Sequence, residues 1–153
     1  MSWQQGHATI VVLINRGHLE QISGQAANGD YLIGQARQRI TSANRILHVD
    51  RVSAYNLAYD GTRQAATALL IQQGLRPRME GGHIAIAEAV QAQFGEPFRL
   101  LNAMRRRRNK LEYPQNPDDV AIDADTAAEA VAYSERTVAA AEQLLPNLTI
   151  WRP

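Results

Sequence analysis

The chain has 153 residues, 45% hydrophobic and 20% charged, the proportions of one ordinary globular domain with a single core. Sixteen basic against fifteen acidic residues give a formal charge of +1, so bulk charge does not mark a nucleic-acid binder. The absence of cysteine excludes a disulfide framework and any thiolate metal site.

In chain order, the first apolar run is Ala8 to Ile14. It is far shorter than the roughly 20 residues that span a bilayer, and no basic segment and cleavage site make it a signal peptide. A cytoplasmic protein with no membrane contact is expected. The run is rich in β-branched residues, but a lone strand would have no partner, so it reads as a short helical lead ending at Gly17. Leu32, Ala36, Ile40, Ala43 and Leu47 then form the seam of an amphipathic helix. Asp50 is a candidate N-cap for the longest helix, running to about Gln73 with Tyr55, Tyr59, Thr62, Ala66 and Leu69 inward. Gly74 suits the left-handed position after its end, Leu75 supplies the hydrophobic follow-on, and Pro77 prevents continuation.

Gly81-Gly82 opens a shorter helix through about Gln93, and Gly95-Glu96-Pro97 starts the next with proline near its first turn. Pro114 to Pro117 is a break. Thr126 and Glu129 have capping-box spacing for a last helix to about Leu145, with Ala127, Val131, Val138, Ala141 and Leu145 inward. Asn147 to Pro153 reads as a tail. The expected fold is a single all-α domain over residues 1–153, a mostly antiparallel bundle of four to five helices behind the short N-terminal lead. Trp3 and Trp151 either pack the chain ends down or meet another subunit. The histidines His7, His18, His48 and His83 show no metal-ligand spacing, and neither a metal nor a cofactor is expected.

The densest chemistry lies in Arg105-Arg106-Arg107-Arg108-Asn109-Lys110-Leu111-Glu112-Tyr113-Pro114, with five cations in six residues. Adjacent like charges gain nothing from local pairing. Such a run serves an anionic ligand, a partner subunit, or a solvated helix end whose dipole favours cations. On a helical wheel Leu100, Leu101, Met104 and Leu111 share one stripe. Arg108 lies about 40° from its centre, whereas Arg106 points almost directly away. Arg108 is therefore aimed at packed protein and needs a counter-charge or an anionic visitor.

Arg108-Asn109-Lys110-Leu111-Glu112-Tyr113 resembles the Arg-Asn-x-x-x-His motif of the HEPN superfamily, all-α domains that bind nucleotides and cleave RNA. The segment Ala58 to Leu70, followed by Gly74-Leu75-Arg76 and Gly81-Gly82-His83, is similar to a branch of small stand-alone bacterial HEPN proteins, and the resemblance covers about residues 27–145. Tyr113 stands where the superfamily has histidine, and Gln115 where nucleotidyltransferase-paired members have tyrosine. A phenol with an ordinary pKa of about 10 is a poor general base. The resemblance thus implies an RNA- or nucleotide-binding protein, a degenerate or weak metal-independent endoribonuclease. Arg108 and Tyr113 stand at the catalytic positions, while Asn109, Arg107, Asp60 and His83 contribute to substrate binding. It also implies a homodimer with the cleft near its two-fold axis. The alternative is a non-catalytic module, such as the partner of a small nucleotidyltransferase in a toxin–antitoxin-like pair. Read from the residues alone, Asp60 either pairs with Arg63 on its own helix or orients Arg108 across the bundle, and His83 is either simply exposed or functional.

Overall fold

The computed structural model describes residues 3–79 and 81–153. Its helices are α1 (His7–Asn15), α2 (Asp30–Ile46), α3 (Arg51–Gln72), α4 (Gly82–Phe94), α5 (Leu101–Glu112) and α6 (Ala124–Leu144). Two three-residue strands, β1 (Leu19–Gln21) and β2 (Leu75–Pro77), pair antiparallel with Leu19 opposite Pro77 and Gln21 opposite Leu75. The all-α reading therefore holds, with one small ribbon added. Among the described residues no helix is long and apolar enough to cross a membrane.

The axis of the fold is α3, which packs against α2, α4, α5, α6 and β2. Asp50 caps it as expected, its carboxylate accepting the Ser53 amide at 3.0 Å. Small residues set the distance to its neighbours. A Cβ on Gly29, at the start of α2, would lie 2.2 Å from the Ala68 carbonyl oxygen, and one on Gly61 would lie 2.6 Å from Ile40 Cδ1. The Gly29 amide instead donates to Gln72 Oε1 at 3.0 Å, so α2 begins where α3 ends and runs opposite to it. Across from α2, the Thr62 and Ser134 hydroxyls lie 2.7 Å apart and both donate to the Ala58 carbonyl, tying α6 to α3 through a buried polar knot.

The far end of α3 is held by a reciprocal amide pair. Gln73 and Gln93 are almost fully buried and exchange two hydrogen bonds of 2.6 and 2.9 Å. Their backbone carbonyls receive both chain ends: Trp3 Nε1 donates to Gln93 O, and the Trp151 amide donates to Gln73 O, each at 2.8 Å. Burial of an amide is tolerated only when its groups are paired, and here they are. His7 stacks on Trp151 with ring centroids 4.9 Å apart. The C-terminal segment is thus packed rather than a loose tail, and the two tryptophans pin the ends to the body.

Two start signals are used differently from the sequence reading. Pro97 lies in a 3-10 turn (Glu96–Phe98) ahead of α5, because Tyr133 and Thr137 of α6 take its carbonyl at 2.8 and 2.9 Å. Helix α6 starts at Ala124 with Asp123 as its cap, the carboxylate accepting the Thr126 amide at 2.7 Å. Thr126 therefore falls inside the first turn, and the capping box belongs to Asn116 and Asp119 around the preceding 3-10 turn.

Gly29→Ala should lower stability by about 1–3 kcal/mol, since the added methyl overpacks a rigid backbone contact. Gly34→Ala, whose Cβ meets nothing within 4 Å on the exposed side of α2, should raise it by about 0.5–1 kcal/mol. Urea unfolding midpoints of the two variants measure both effects.

Candidate functional site

The hydrophobic seam of α3 leaves one polar stripe, and its residues meet the first turn of α4 and the inner side of α5. Tyr59 is buried, 1% exposed, and its phenol oxygen reaches a polar neighbour. That neighbour is His83, whose Nδ1 lies 3.3 Å from the phenol oxygen. His83 is there because Gly81, at φ +72°, turns the chain into α4 with its backbone against the His18 ring. The Arg108 guanidinium sits 6.0 Å above the centroid of the Tyr59 ring, at the outer limit of a cation–π contact. It is also bound by Glu112 one turn on, at 2.6 Å.

One turn along α3 from Tyr59, Arg63 approaches Asp60 at 3.8 Å, a long contact, and its Nε is buried with no hydrogen-bond partner. Asn56, on the same stripe, has a buried Oδ1 that is equally unpartnered. Unpaired buried polar atoms are costly and mark places where water or a ligand completes the bonding. Arg105, one turn before Arg108, is held by Asn102 Oδ1 at 2.9 Å and adds a third guanidinium to the field.

These charges act on the two titratable groups. Burial pushes the Tyr59 phenol above its ordinary value, more than Arg63, Arg108 and Arg105 draw it down, so it stays protonated. Burial holds the His83 imidazole below its ordinary 6.5; Arg63, Arg108 and Arg105 act in the same direction, against a smaller opposing effect from Asp60. At neutral pH the site is thus a neutral imidazole and a neutral phenol sharing a hydrogen bond, ringed by three guanidiniums. Among the described residues no three His, Cys, Asp or Glu side chains stand together as a cation site. Arg63 and His83 also line a groove of about 440 Å³ among α2, α3, α4 and β2, together with Tyr31, Arg76 and Arg78.

The residues singled out from sequence part company here. Arg108 lies in the cleft, partly covered as its wheel position implies, and Arg106 faces solvent. Asp60 pairs with Arg63 rather than Arg108. Arg107 donates to the Ala121 carbonyl and holds the segment before α6. Asn109 and Tyr113 line a different depression with Lys110, Gln115, Asn116 and Asp119, and Tyr113 is 74% exposed at the end of α5. Five positions along a helix turn a side chain about 140°, which separates Tyr113 from Arg108. Tyr59, Arg63 and Arg105 read as core or surface in the sequence. The available signal was spacing, since Tyr59–Arg63 and Arg105–Arg108 are each one turn apart on a single helix face.

Comparison of the chain with protein-family models, with curated proteins and with solved structures finds no significant match.

By NMR titration His83 should have a pKa below 6.5, and Arg63→Gln should move it upward by removing a repelling cation while burial remains. A wild-type value above 6.5 contradicts this account of the site.

Proposed function

We propose that the cleft binds the phosphate of RNA or of a nucleotide, and that the protein is a HEPN-like RNA-binding protein with at most weak, metal-independent endoribonuclease activity. The observation that carries this reading is the convergence of Arg63, Arg105 and Arg108 on the His83–Tyr59 pair, with Arg63 Nε left unpartnered. Among the described residues the nearby counter-charges are Asp60 and Glu112, so positive charge is in excess. A planar guanidinium is the group best matched to two phosphate oxygens.

In this reading His83 is the proton partner of the chemistry. In the tautomer that donates Nδ1–H to the Tyr59 oxygen, His83 keeps an Nε2 lone pair. That nitrogen takes the proton of a 2′-hydroxyl as the 2′ oxygen bonds to the adjacent phosphorus. The bond from phosphorus to the 5′ oxygen breaks, and the departing oxygen collects a proton from water. The products are a 2′,3′-cyclic phosphate and a 5′-hydroxyl end, with no metal in the step. The arginines stabilise the added negative charge at phosphorus. One positioned base contributes about 10²–10⁴-fold in rate, which is why the expected activity is weak. The homodimer and the nucleotidyltransferase partner rest on the HEPN resemblance alone.

Single-stranded RNA should bind the purified protein with an affinity that falls steeply with salt. Arg108→Ala should weaken it about 10–100-fold, the effect of losing a charge-assisted contact. Any cleavage in the presence of a chelator should vanish in His83→Gln with binding retained, and Tyr113→His should leave both unchanged. Absence of RNA binding, together with capture of an acidic protein partner by the arginine face, would overturn the reading in favour of an interaction module.

A further inference from the structure

Helices α5 and α6 both pack on α3 but hardly on each other, which leaves a trough between them. Two depressions, of about 350 and 180 Å³, lie along it and share Leu100 and Tyr133. The first is flanked by Pro97 and Arg99 on one side and by Arg136 and Ala140 on the other. The second is flanked by Ala103 and Met104 and, across from them, by Thr126 and Ala130. Residue numbers thus rise along α5 in the direction in which they fall along α6, and the two helices fix the order of the lining. From Ala140 to Thr126 the trough follows α6 for about 21 Å.

Its floor is apolar and narrow. Met104, Ala130 and Tyr133 are 5%, 7% and 7% exposed although they line an open trough. A helix, about 10 Å across, does not enter such a slit, whereas an acyl chain does. At one end the Tyr133 and Thr137 hydroxyls already donate to the Pro97 carbonyl. The groups left there for a ligand are Arg99, held by Glu96 at 3.1 Å, and Arg136, which pairs with no carboxylate among the described residues. At the other end Tyr55, 5% exposed, lines the trough with a hydroxyl that has no hydrogen-bond partner among the described residues. A phenol so buried ordinarily has a partner.

We infer that this trough binds a straight-chain carboxylate of the fatty-acid type, its head at Arg136 and Arg99 and its chain running past Leu100 and Tyr133 towards Tyr55. Two guanidiniums against one acid make the head end positive, and Glu129 repels an anion from the other end, so the orientation is fixed. The chain leaves water against Met104, Ala130 and the Tyr133 ring. A hydroxyl at its far end would supply the bond that Tyr55 lacks, which makes an ω-hydroxylated acid the better ligand. The inference is independent of the phosphate reading, since Arg63, His83 and Arg108 do not line the trough.

Calorimetry on the full chain with decanoate, decanol and ω-hydroxydecanoate tests it. Decanoate should bind one to a chain and about tenfold tighter than decanol, and Arg136→Gln should remove most of that difference. The ω-hydroxylated acid should bind about fivefold tighter than decanoate, an advantage that Tyr55→Phe should lose. Ala103→Phe, at an exposed position of α5, should fill the second depression and weaken decanoate about tenfold, with circular dichroism confirming the fold. Arg108→Ala should leave decanoate affinity unchanged; its loss in that variant would place the ligand in the arginine cleft and overturn the trough. No binding below the micelle concentration, many molecules bound to each chain, or an affinity indifferent to both Arg136→Gln and Ala103→Phe would overturn it as well.

Discussion

The structure depends on how closely other helices can approach α3. Its own alanines, with Gly29 and Gly61 at the α2 contact, allow backbone-to-backbone packing that any larger residue would break. With neighbours on nearly every side, α3 can carry polar groups only where partners wait for them. The Thr62–Ser134 knot meets that condition inside the core. The stripe holding Tyr59, Asp60 and Arg63 meets it only in part, leaving Arg63 Nε without a bond.

The chain's return after α3 decides what faces that stripe. Were α3 followed by a helical hairpin, the next helix would run back along it. Instead β2 carries the chain back in extended form, braced by its pairing with β1, and α4 then runs alongside α3 in the same direction. Its start meets Tyr59 through His83, and its end meets Gln73 through Gln93. The two contacts act as a pair of rungs, one at the candidate cleft and one in the core. Because the lower rung is also where Trp3 and Trp151 attach, the ends of the chain steady the helix that presents His83.

Three guanidiniums beside an imidazole repel its protonated form. The sign of the linkage follows from the lowered His83 pKa. Between the lowered folded-state value and 6.5 the unfolded chain binds more protons than the folded one, so this group's contribution is present above 6.5 and is lost as pH falls from there through the folded-state value. An arriving phosphate reverses the balance, since its charge neutralises the arginines and favours the imidazolium. In the proposed reading, ligand binding and proton uptake are therefore coupled at His83.

The helices were legible in the amino-acid order because their signals are local. The apolar seam from Leu32 to Leu47, the Asp50 cap and the Gly74 stop each act within a turn or two, and all were used. The partly covered position of Arg108 was legible for the same reason, being fixed by the helical period relative to Leu101 and Met104. The cap of α6 was misplaced at Thr126, because Asp123 three residues earlier also has cap chemistry and its carboxylate takes the first-turn amide. Tertiary structure alone decided the site. Tyr59 and His83 are 24 positions apart, and Arg63 and Arg105 carry no local mark that they share a cleft. Their meeting depends on a three-residue strand too short to show a period and on helices whose direction is set by packing. In sequence, Arg108, Asn109 and Tyr113 looked like one group. In three dimensions the turn of the helix sends Tyr113 to solvent and leaves Arg108 with partners from α3 and α4, because angle around the axis rather than distance along the chain decides which side chains meet.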